Sequence, residues 1–402
     1  MTEQSKFQLK ADLNLKEYWY PISLVEHIKD KPIGLHILGE PIVLFKSNNG
    51  IVCLADKCAH RSAPLSVGQV LNGNLECLYH GWQYDSDGNV VEIPAKLPEK
   101  GIPSSAKSKK FPLVIKDGLV WIYPGKKSNE AKVPDLHPGN HAPGFGKPFA
   151  RVTDLDIDHS LMVENLLDPA HLPFTHNGTL SNRSKVSPMT LDLQFGEGNL
   201  FMFGDNVITK SPNQKTRFYF YPPCHVLLEA EIIPGWKMVQ SMHCVPIRPG
   251  HMRLVFLQGR NFFNWYVPGL EAYLTSFSDK IVFQDYEMLH GQQLRLQQKA
   301  NPWNSTIAVD IMPKTYRNWF KKTRGWFAGY GDIEDMNTDG CTGCGDTDSY
   351  DEYRYTRQEG VNYTCYELNK PKDYSLVSSK QLILAVSIGI IGVFVGLKYL
   401  KA

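Results

Sequence analysis

Charge of one sign is the first thing this 402-residue sequence lacks: 43 Lys and Arg stand against 41 Asp and Glu, a formal net charge of +2 with histidine neutral. So even a balance gives no overall field for nucleic acid, and a charged partner must be met by a local patch. Lys107, Lys109 and Lys110 form one such patch and Lys321, Lys322 and Arg324 another. Each reads either as a solvated face or as a docking site for an acidic electron carrier or anionic lipid. Cysteine is also sparse, and eight in a chain this long are too few for a disulfide scaffold. The start, Met1 to Leu13, is polar and mixed in charge. It has neither the apolar stretch of a secretory signal nor the Arg- and Ser-rich, acid-poor character of an organelle leader. The folded part is therefore expected in a reducing compartment, encoded by a bacterial gene or lacking a leader already removed. No internal repeat of fixed period is present.

Long apolar runs are missing except for one. Leu382 to Leu397 is uncharged and almost wholly apolar, with Lys380 before it and Lys398 and Lys401 after it. Counted from Gln381 to Tyr399 it reaches the lower limit of roughly 17 residues for a spanning helix. Gly389, Gly392 and Gly396 weaken a soluble helix but are tolerated in a membrane. A single C-terminal transmembrane anchor over 381–400 is the expectation, with a buried or in-plane helix as its alternative. Such a tail leaves everything N-terminal to it on the cytoplasmic or stromal side.

From Tyr18 to Tyr123 short apolar runs are broken by turn signals: Ile42 to Phe45, Asn49-Gly50, Ile51 to Leu54, then Asp87-Gly88 and Gly118. This pattern predicts a small all-β domain over 15–125. The Pro- and Gly-rich stretch Pro124 to Pro148 marks a boundary. A second domain, 150–320, opens with a helical segment near Leu161 to His171, alternates through Thr216 to Ile233 and Met238 to Phe256, and closes with a helix from about Leu270 to Gln298. The class is α+β: an antiparallel sheet with helices after an all-β domain, then the membrane helix. An acidic linker, 331–380, carries Cys341 and Cys344.

Two motifs carry chemistry. Cys58-Ala59-His60 and Cys77-Leu78-Tyr79-His80 each offer one thiolate and one imidazole, separated by residues 61–76. That is the ligand set of a Rieske [2Fe-2S] cluster, whose two histidines raise its potential above that of all-cysteine centres. Pro64 and Gly68 suit a rigid loop over the cluster, and Gly81-Trp82 follows the second pair. Structural zinc needs a different order, Cys-x2-4-Cys then His-x3-5-His. The second motif runs from Glu164 through Asn165, Asp168 and His171 to His176. Asn165, Asp168 and His171 would share one helix face, and Pro173 would end that helix and let His176 swing back. Two imidazoles and one carboxylate on one face of a metal suit mononuclear Fe(II) and dioxygen. For the carboxylate, Leu274, Phe277, Ile281, Asp285 and Met288 fall on one helical stripe, which puts Asp285 toward the core, where a lone carboxylate needs a metal or another partner. Asp279 and Glu287 fall off that stripe and read as surface charges. Asp168 remains free to accept the hydrogen bond that fixes a histidine tautomer, to bridge a cluster histidine to an iron histidine, or to cap the helix.

These motifs resemble the Rieske non-haem iron oxygenases from about Tyr18 to Gln298. The resemblance implies cluster ligands Cys58, His60, Cys77 and His80, iron ligands His171, His176 and Asp285, a bridging Asp168, and head-to-tail homotrimers in which one subunit's cluster feeds its neighbour's iron. Cys58 to Ser66 and Asn165 to His171 are similar to the pheophorbide a oxygenase group, which includes chlorophyllide a oxygenase and translocon-associated relatives. The Cys341-x-x-Cys344 pair with an apolar tail is similar too. Single span and absent plastid leader fit a cyanobacterial-type relative. The implied activity is insertion of oxygen from O2 into a lipophilic ring, a chlorophyll-derived tetrapyrrole first, a sterol or other aromatic second. A ferredoxin or reductase would supply electrons, and the membrane would be the thylakoid in a photosynthetic cell. A redox sensor or electron-transfer protein without turnover is the alternative from another class. Cys341 and Cys344 are open between a thioredoxin-addressed dithiol switch, a metal clip and idle thiols. Cys53, Cys224, Cys244 and Cys365 read as core or idle thiols, and His159, His243 and His290 as structural.

Overall fold

The computed structural model describes residues 13–135, 144–196, 200–208, 216–262, 269–298, 300–301, 303, 305–321 and 323–324. The linker with Cys341 and Cys344 and the apolar run at 382–397 lie outside them. Among the described residues no helix is long and apolar enough to cross a membrane.

The N-terminal part is built of short strands: β1 (Leu13–Asn14), β2 (Tyr20–Leu24), β3 (Ile33–Ile37), β4 (Glu40–Ser47), β5 (Gly50–Ala55), β6 (Gln69–Leu71), β7 (Asn74–Glu76), β8 (Gln83–Tyr84), β9 (Val90–Glu92), β10 (Leu113–Lys116) and β11 (Leu119–Ile122). β2 to β11 form three antiparallel sheets, ordered β10-β11-β2, β3-β4-β5 and β6-β7-β8-β9. The hairpin predicted around Asn49-Gly50 is present, but Ser47 pairs with Gly50, so its turn residues are Asn48 and Asn49. Asp117 and Gly118 both take positive φ in the β10–β11 turn, the requirement of a tight two-residue hairpin. Val43, Phe45, Val52 and Leu54 point from β4 and β5 into a core that also holds Leu65, Leu75, Tyr84, Cys58 and Cys77. Both predicted ligand thiols are therefore core side chains.

The second part follows with β12 (Phe149–Leu155), α1 (His159–Leu166), α2 (Leu172–Thr175), β13 (Met189–Phe195), β14 (Met202–Ile208), β15 (Thr216–Tyr221), β16 (His225–Ile233), β17 (Trp236–Arg248), β18 (His251–Arg260), α3 (Leu270–Gln297), α4 (Ile311–Phe320) and β19 (Thr323–Arg324). Seven strands make one antiparallel sheet, ordered β12-β18-β17-β16-β15-β14-β13, while β19 returns to pair parallel with β1. The long alternating stretches of sequence are its central hairpins. α1 lies against β16, β17 and β18 and is flanked by α3 and α4. A buried ion pair between Arg317 of α4 and Glu164 of α1 pins the two helices together. The two parts join through backbone, Leu38 and Gly39 donating to the carbonyls of Pro246 and Ile247. Arg253, paired with Asp154, also donates to the Ile22 carbonyl.

Four expectations need correction. The helix predicted from Leu161 to His171 stops at Leu166, because Pro169 has no N–H to give and disfavours the helical conformation at Asp168, which is extended at φ −105 and ψ 103. Pro173 does not end a helix but sits in the first turn of α2, where a missing N–H costs nothing. On α3 the buried stripe is Asp285, Leu289, Gln293 and Leu296, whereas Met288 is 60% exposed. Asp279 is no free surface charge, since it pairs with the buried Arg151.

Candidate metal centres

The first centre rests on two loops of like construction. Ser62 N–H donates to the Cys58 carbonyl and Gly81 N–H to that of Cys77, both at 2.9 Å, and each loop turns at a positive φ, at Ser62 and Gly81. The turns leave Cys58 and Cys77 buried and His60 and His80 at the surface. The imidazole centroids lie 4.6 Å apart, and Trp82 stacks on His60 at 4.8 Å with parallel planes. Gly68 is required where it stands: a Cβ there would lie 1.9 Å from the Glu76 carbonyl oxygen, so only glycine lets the first loop close on β7. Burial, with the Cys58 thiol alongside, pushes the Cys77 thiol up, an arrangement that a bound cation would reverse. Partial desolvation against the loops and the neighbouring His60 and Arg61 hold His80 below its ordinary value. Tyr84 was not singled out in the sequence. Its hydroxyl accepts from Ala59 N–H at 2.8 Å and donates to Cys58 Sγ at 3.1 Å. Nothing in the sequential separation of Cys58 and Tyr84 announces that contact. Buried thiols paired on one side and exposed imidazoles on the other match a two-iron cluster with one iron for each pair.

The second centre is made where α1, the loop after it and α3 converge. His171 ends a 3-10 turn and His176 caps the end of α2. Asp285 reaches them from α3, its Oδ1 3.1 Å from His176 Nε2 and 3.6 Å from His171 Nε2. These separations are near the roughly 3 Å expected between adjacent ligands held about 2.1 Å from one ion. The ligand atoms of the three residues lie within 4.8 Å of one another. Asp285 is 5% exposed, and its Oδ1 is buried without a hydrogen-bond partner. An orphaned carboxylate oxygen facing two imidazole nitrogens is costly unless a cation neutralises it.

The remaining ring nitrogens face outward and are occupied. His171 Nδ1 donates to the backbone carbonyl of Asp168 at 2.5 Å, and His176 Nδ1 to Gln284 Oε1 at 3.1 Å. So a main-chain oxygen, not the Asp168 carboxylate, sets the His171 tautomer. The carboxylate caps the 3-10 turn instead, accepting from Ala170 N–H at 2.7 Å. Burial, helped by Asp310, raises the Asp168 pKa against the pull of His171. Burial also lowers His171, while for His176 it is outweighed by Asp285 and Gln284, which hold that imidazole above its ordinary value. Gln284 was likewise missed, although its place next to Asp285 was a usable signal. Asn165, from the same motif, leaves Nδ2 buried and unpartnered.

The other singled-out residues are structural. His159 packs on Phe320, His290 on Tyr286, and His243 stacks on His225 at 4.0 Å with Ser241 Oγ between them. Cys53, Cys224 and Cys244 are buried and protonated, burial raising each thiol.

Comparison with known proteins places the two parts of the chain in families. Residues 18–111 match the Rieske [2Fe-2S] domain and residues 220–303, which include Asp285, match the pheophorbide a oxygenase family. Chlorophyllide a oxygenase, chloroplastic, of Oryza sativa subsp. japonica is 29% identical over 322 residues, 76% of this chain and 57% of that protein. Protein TIC 55, chloroplastic, of Pisum sativum is 30% identical over 327 residues, 78% and 59% of the two. The chain thus spans under two thirds of the curated relatives it matches. NdmA of Pseudomonas putida CBB5, solved as the QL mutant with theobromine, shares the fold at a TM-score of 0.65 and 24% identity, over 76% of this chain and 90% of that one. Rieske cluster and mononuclear iron are accordingly the cofactors that the domains and donor sets fit.

Proposed function

Since the chain belongs to the Rieske oxygenases, in the group of the chlorophyllide a and pheophorbide a oxygenases, we propose that it inserts oxygen from O2 into a lipophilic ring substrate, first of all a chlorophyll-derived tetrapyrrole. The observation that carries this reading is the orphaned Asp285 oxygen before two inward-facing imidazoles. An electron carrier or redox sensor with a cluster alone has no use for that second, buried donor set.

In this reading Cys58, His60, Cys77 and His80 would hold the cluster, and His171, His176 and Asp285 would hold the iron. When bound, the cluster would supply electrons singly and the iron would provide dioxygen activation. Trp82 and the Tyr84 hydroxyl fix the cluster loops, one through the His60 ring and one through the Cys58 sulfur. Asp168 orients His171 through its carbonyl, and its carboxylate is proposed to bridge an iron histidine to a cluster histidine. Exposure of His60 and His80 at the tip of their loops suits delivery of electrons across a contact between subunits, and a homotrimer is part of the proposal. So are a ferredoxin or reductase as donor, and the domain limits 15–125 and 150–320. The apolar run within 381–400 is proposed as a membrane anchor, thylakoid in a photosynthetic cell, because it is long enough to span and a lipophilic substrate resides there. Cys341 and Cys344 are proposed as a dithiol switch addressed by thioredoxin.

Single-turnover reoxidation tests the reading. Reduced protein mixed with oxygenated buffer should reoxidise its cluster faster with a bound tetrapyrrole than without, and Asp285→Ala should abolish the difference. Equal rates with every tetrapyrrole offered would remove the substrate class.

A further inference from the structure

We propose that Gln284 is a positioning residue for the iron site: its side-chain carbonyl keeps the proton of His176 on Nδ1 and so turns the Nε2 lone pair toward Asp285. The proposal rests on the metal-site reading above. α3 holds one imidazole by both ends, since Asp285 lies 3.1 Å from Nε2 and Gln284 Oε1 3.1 Å from Nδ1. Neighbours in sequence therefore set both what the ring faces and which nitrogen can ligate.

An amide can present either oxygen or nitrogen, and the choice decides the chemistry. With nitrogen toward the ring, Gln284 would donate to Nδ1, the proton would move to Nε2, and His176 would hydrogen-bond Asp285 instead of sharing a metal with it. Thr179 favours the oxygen. Its hydroxyl lies 2.9 Å from Gln284 Oε1 and 2.9 Å from the His176 carbonyl oxygen. That carbonyl already receives the N–H groups of Thr179 and Ser181, both at 3.1 Å, which fills its two lone pairs. The hydroxyl proton goes to Gln284, whose oxygen then accepts from Thr179 on one side and from His176 on the other. A nitrogen in that place would donate to the hydroxyl oxygen and leave the hydroxyl proton to a carbonyl that already accepts two N–H groups. His171 needs no such side chain, because the Asp168 carbonyl does the same work. Only the His176 tautomer is thus open to change by substitution.

The test compares iron binding by full-length protein carrying its cluster, using ferrous iron in competition with a chelator. Gln284→Met keeps length and removes the acceptor, and the loss expected is roughly 10–100-fold in iron affinity, the usual effect of deleting a partner that orients a metal-bound histidine. Gln284→Glu keeps an acceptor and should restore most of it. The iron-free melting temperature should stay with the wild type in both, and the ferrous nitrosyl EPR signal should broaden in Gln284→Met alone. Unchanged affinity and signal in Gln284→Met, or an equal loss in Gln284→Glu, would overturn the proposal. Should Gln284→Met fail to fold, Thr179→Val must weaken iron binding and Thr179→Ser restore it, and no change in Thr179→Val would be equally fatal. Asp285→Ala separates the two levels. If it retains the mononuclear iron, the site reading itself fails; if it loses the iron while Gln284→Met keeps it, only the role of Gln284 falls.

Discussion

Tyr84→Phe should lower the reduction potential of the cluster without disturbing its assembly. The phenol ring is fully buried in the core of the N-terminal domain, so phenylalanine preserves the packing and removes one oxygen. That oxygen donates to Cys58 Sγ at 3.1 Å. Reduction adds one negative charge to the cluster and its sulfur ligands, so a donor aimed at a ligand sulfur stabilises the reduced form more than the oxidised one. A hydrogen bond to a charged group is worth about 1.5–3 kcal/mol and one to a neutral group about 1 kcal/mol, which leaves a difference near 1 kcal/mol between redox states. For a one-electron couple a tenfold change in equilibrium, about 1.4 kcal/mol, corresponds to about 59 mV, so the expected fall is roughly 40 mV. Loss of the oxygen also strands the Ala59 N–H, a stability cost of about 1–3 kcal/mol that lowers the melting temperature in both redox states. The assay is a redox titration followed by the EPR signal of the reduced cluster. A potential unchanged within about 10 mV, or one that rises, would refute the assignment of Cys58 as a ligand polarised by Tyr84.

Asp285→Ala should drop bound iron from about three atoms per chain to about two, because the cluster ligands lie elsewhere; elemental analysis with an intact cluster absorption checks it, and three retained would contradict the site. Arg317→Met leaves the buried Glu164 unpaired beside Ser160. It should cost about 3–5 kcal/mol in denaturant unfolding, whereas Arg317→Met with Glu164→Leu should recover most of that; equal losses would mean the pair does not carry the effect. His36 is held down to about 4, first by burial and then by Arg248 and Arg253. A base with a lowered folded pKa is proton-poor relative to the unfolded chain, so its contribution is complete above the unfolded value near 6.5 and is lost as pH falls toward 4, by about 1.4 kcal/mol per pH unit. Urea midpoints between pH 7 and 4 should therefore fall less steeply in His36→Gln, and parallel curves would exclude His36 as a cause.

Much of this was legible because ligand chemistry fixes residue type and order in a short stretch. Cys58-x-His60 and Cys77-x-x-His80 need no long-range information, nor does the pairing of His171 with His176 across one turn. Asp285 was legible by a weaker argument: it does face the core, but through a stripe with Leu289, Gln293 and Leu296 and not through Met288. Hydropathy alone could not separate those stripes, as α3 carries apolar residues on more than one side. Of the roles open to the Asp168 carboxylate, fixing the His171 tautomer passes to the backbone carbonyl, because the helix does not continue across Pro169, and capping is what the carboxylate does. Tyr84 meets Cys58, and Thr179 meets Gln284, across sequence separations at which pattern reading has no purchase. The turn residues Asn48 and Asn49 differ by one position, within the usual error for element ends.

The most direct test of the central claim offers the anaerobically reduced protein a panel of chlorophyll derivatives, sterols and simple aromatics, admits isotopically heavy dioxygen, and reads the products by mass spectrometry. Heavy oxygen in a tetrapyrrole product, absent from Asp285→Ala, is the predicted result. Oxidation of the cluster with no labelled product from any compound would contradict it and leave electron transfer or sensing as the function.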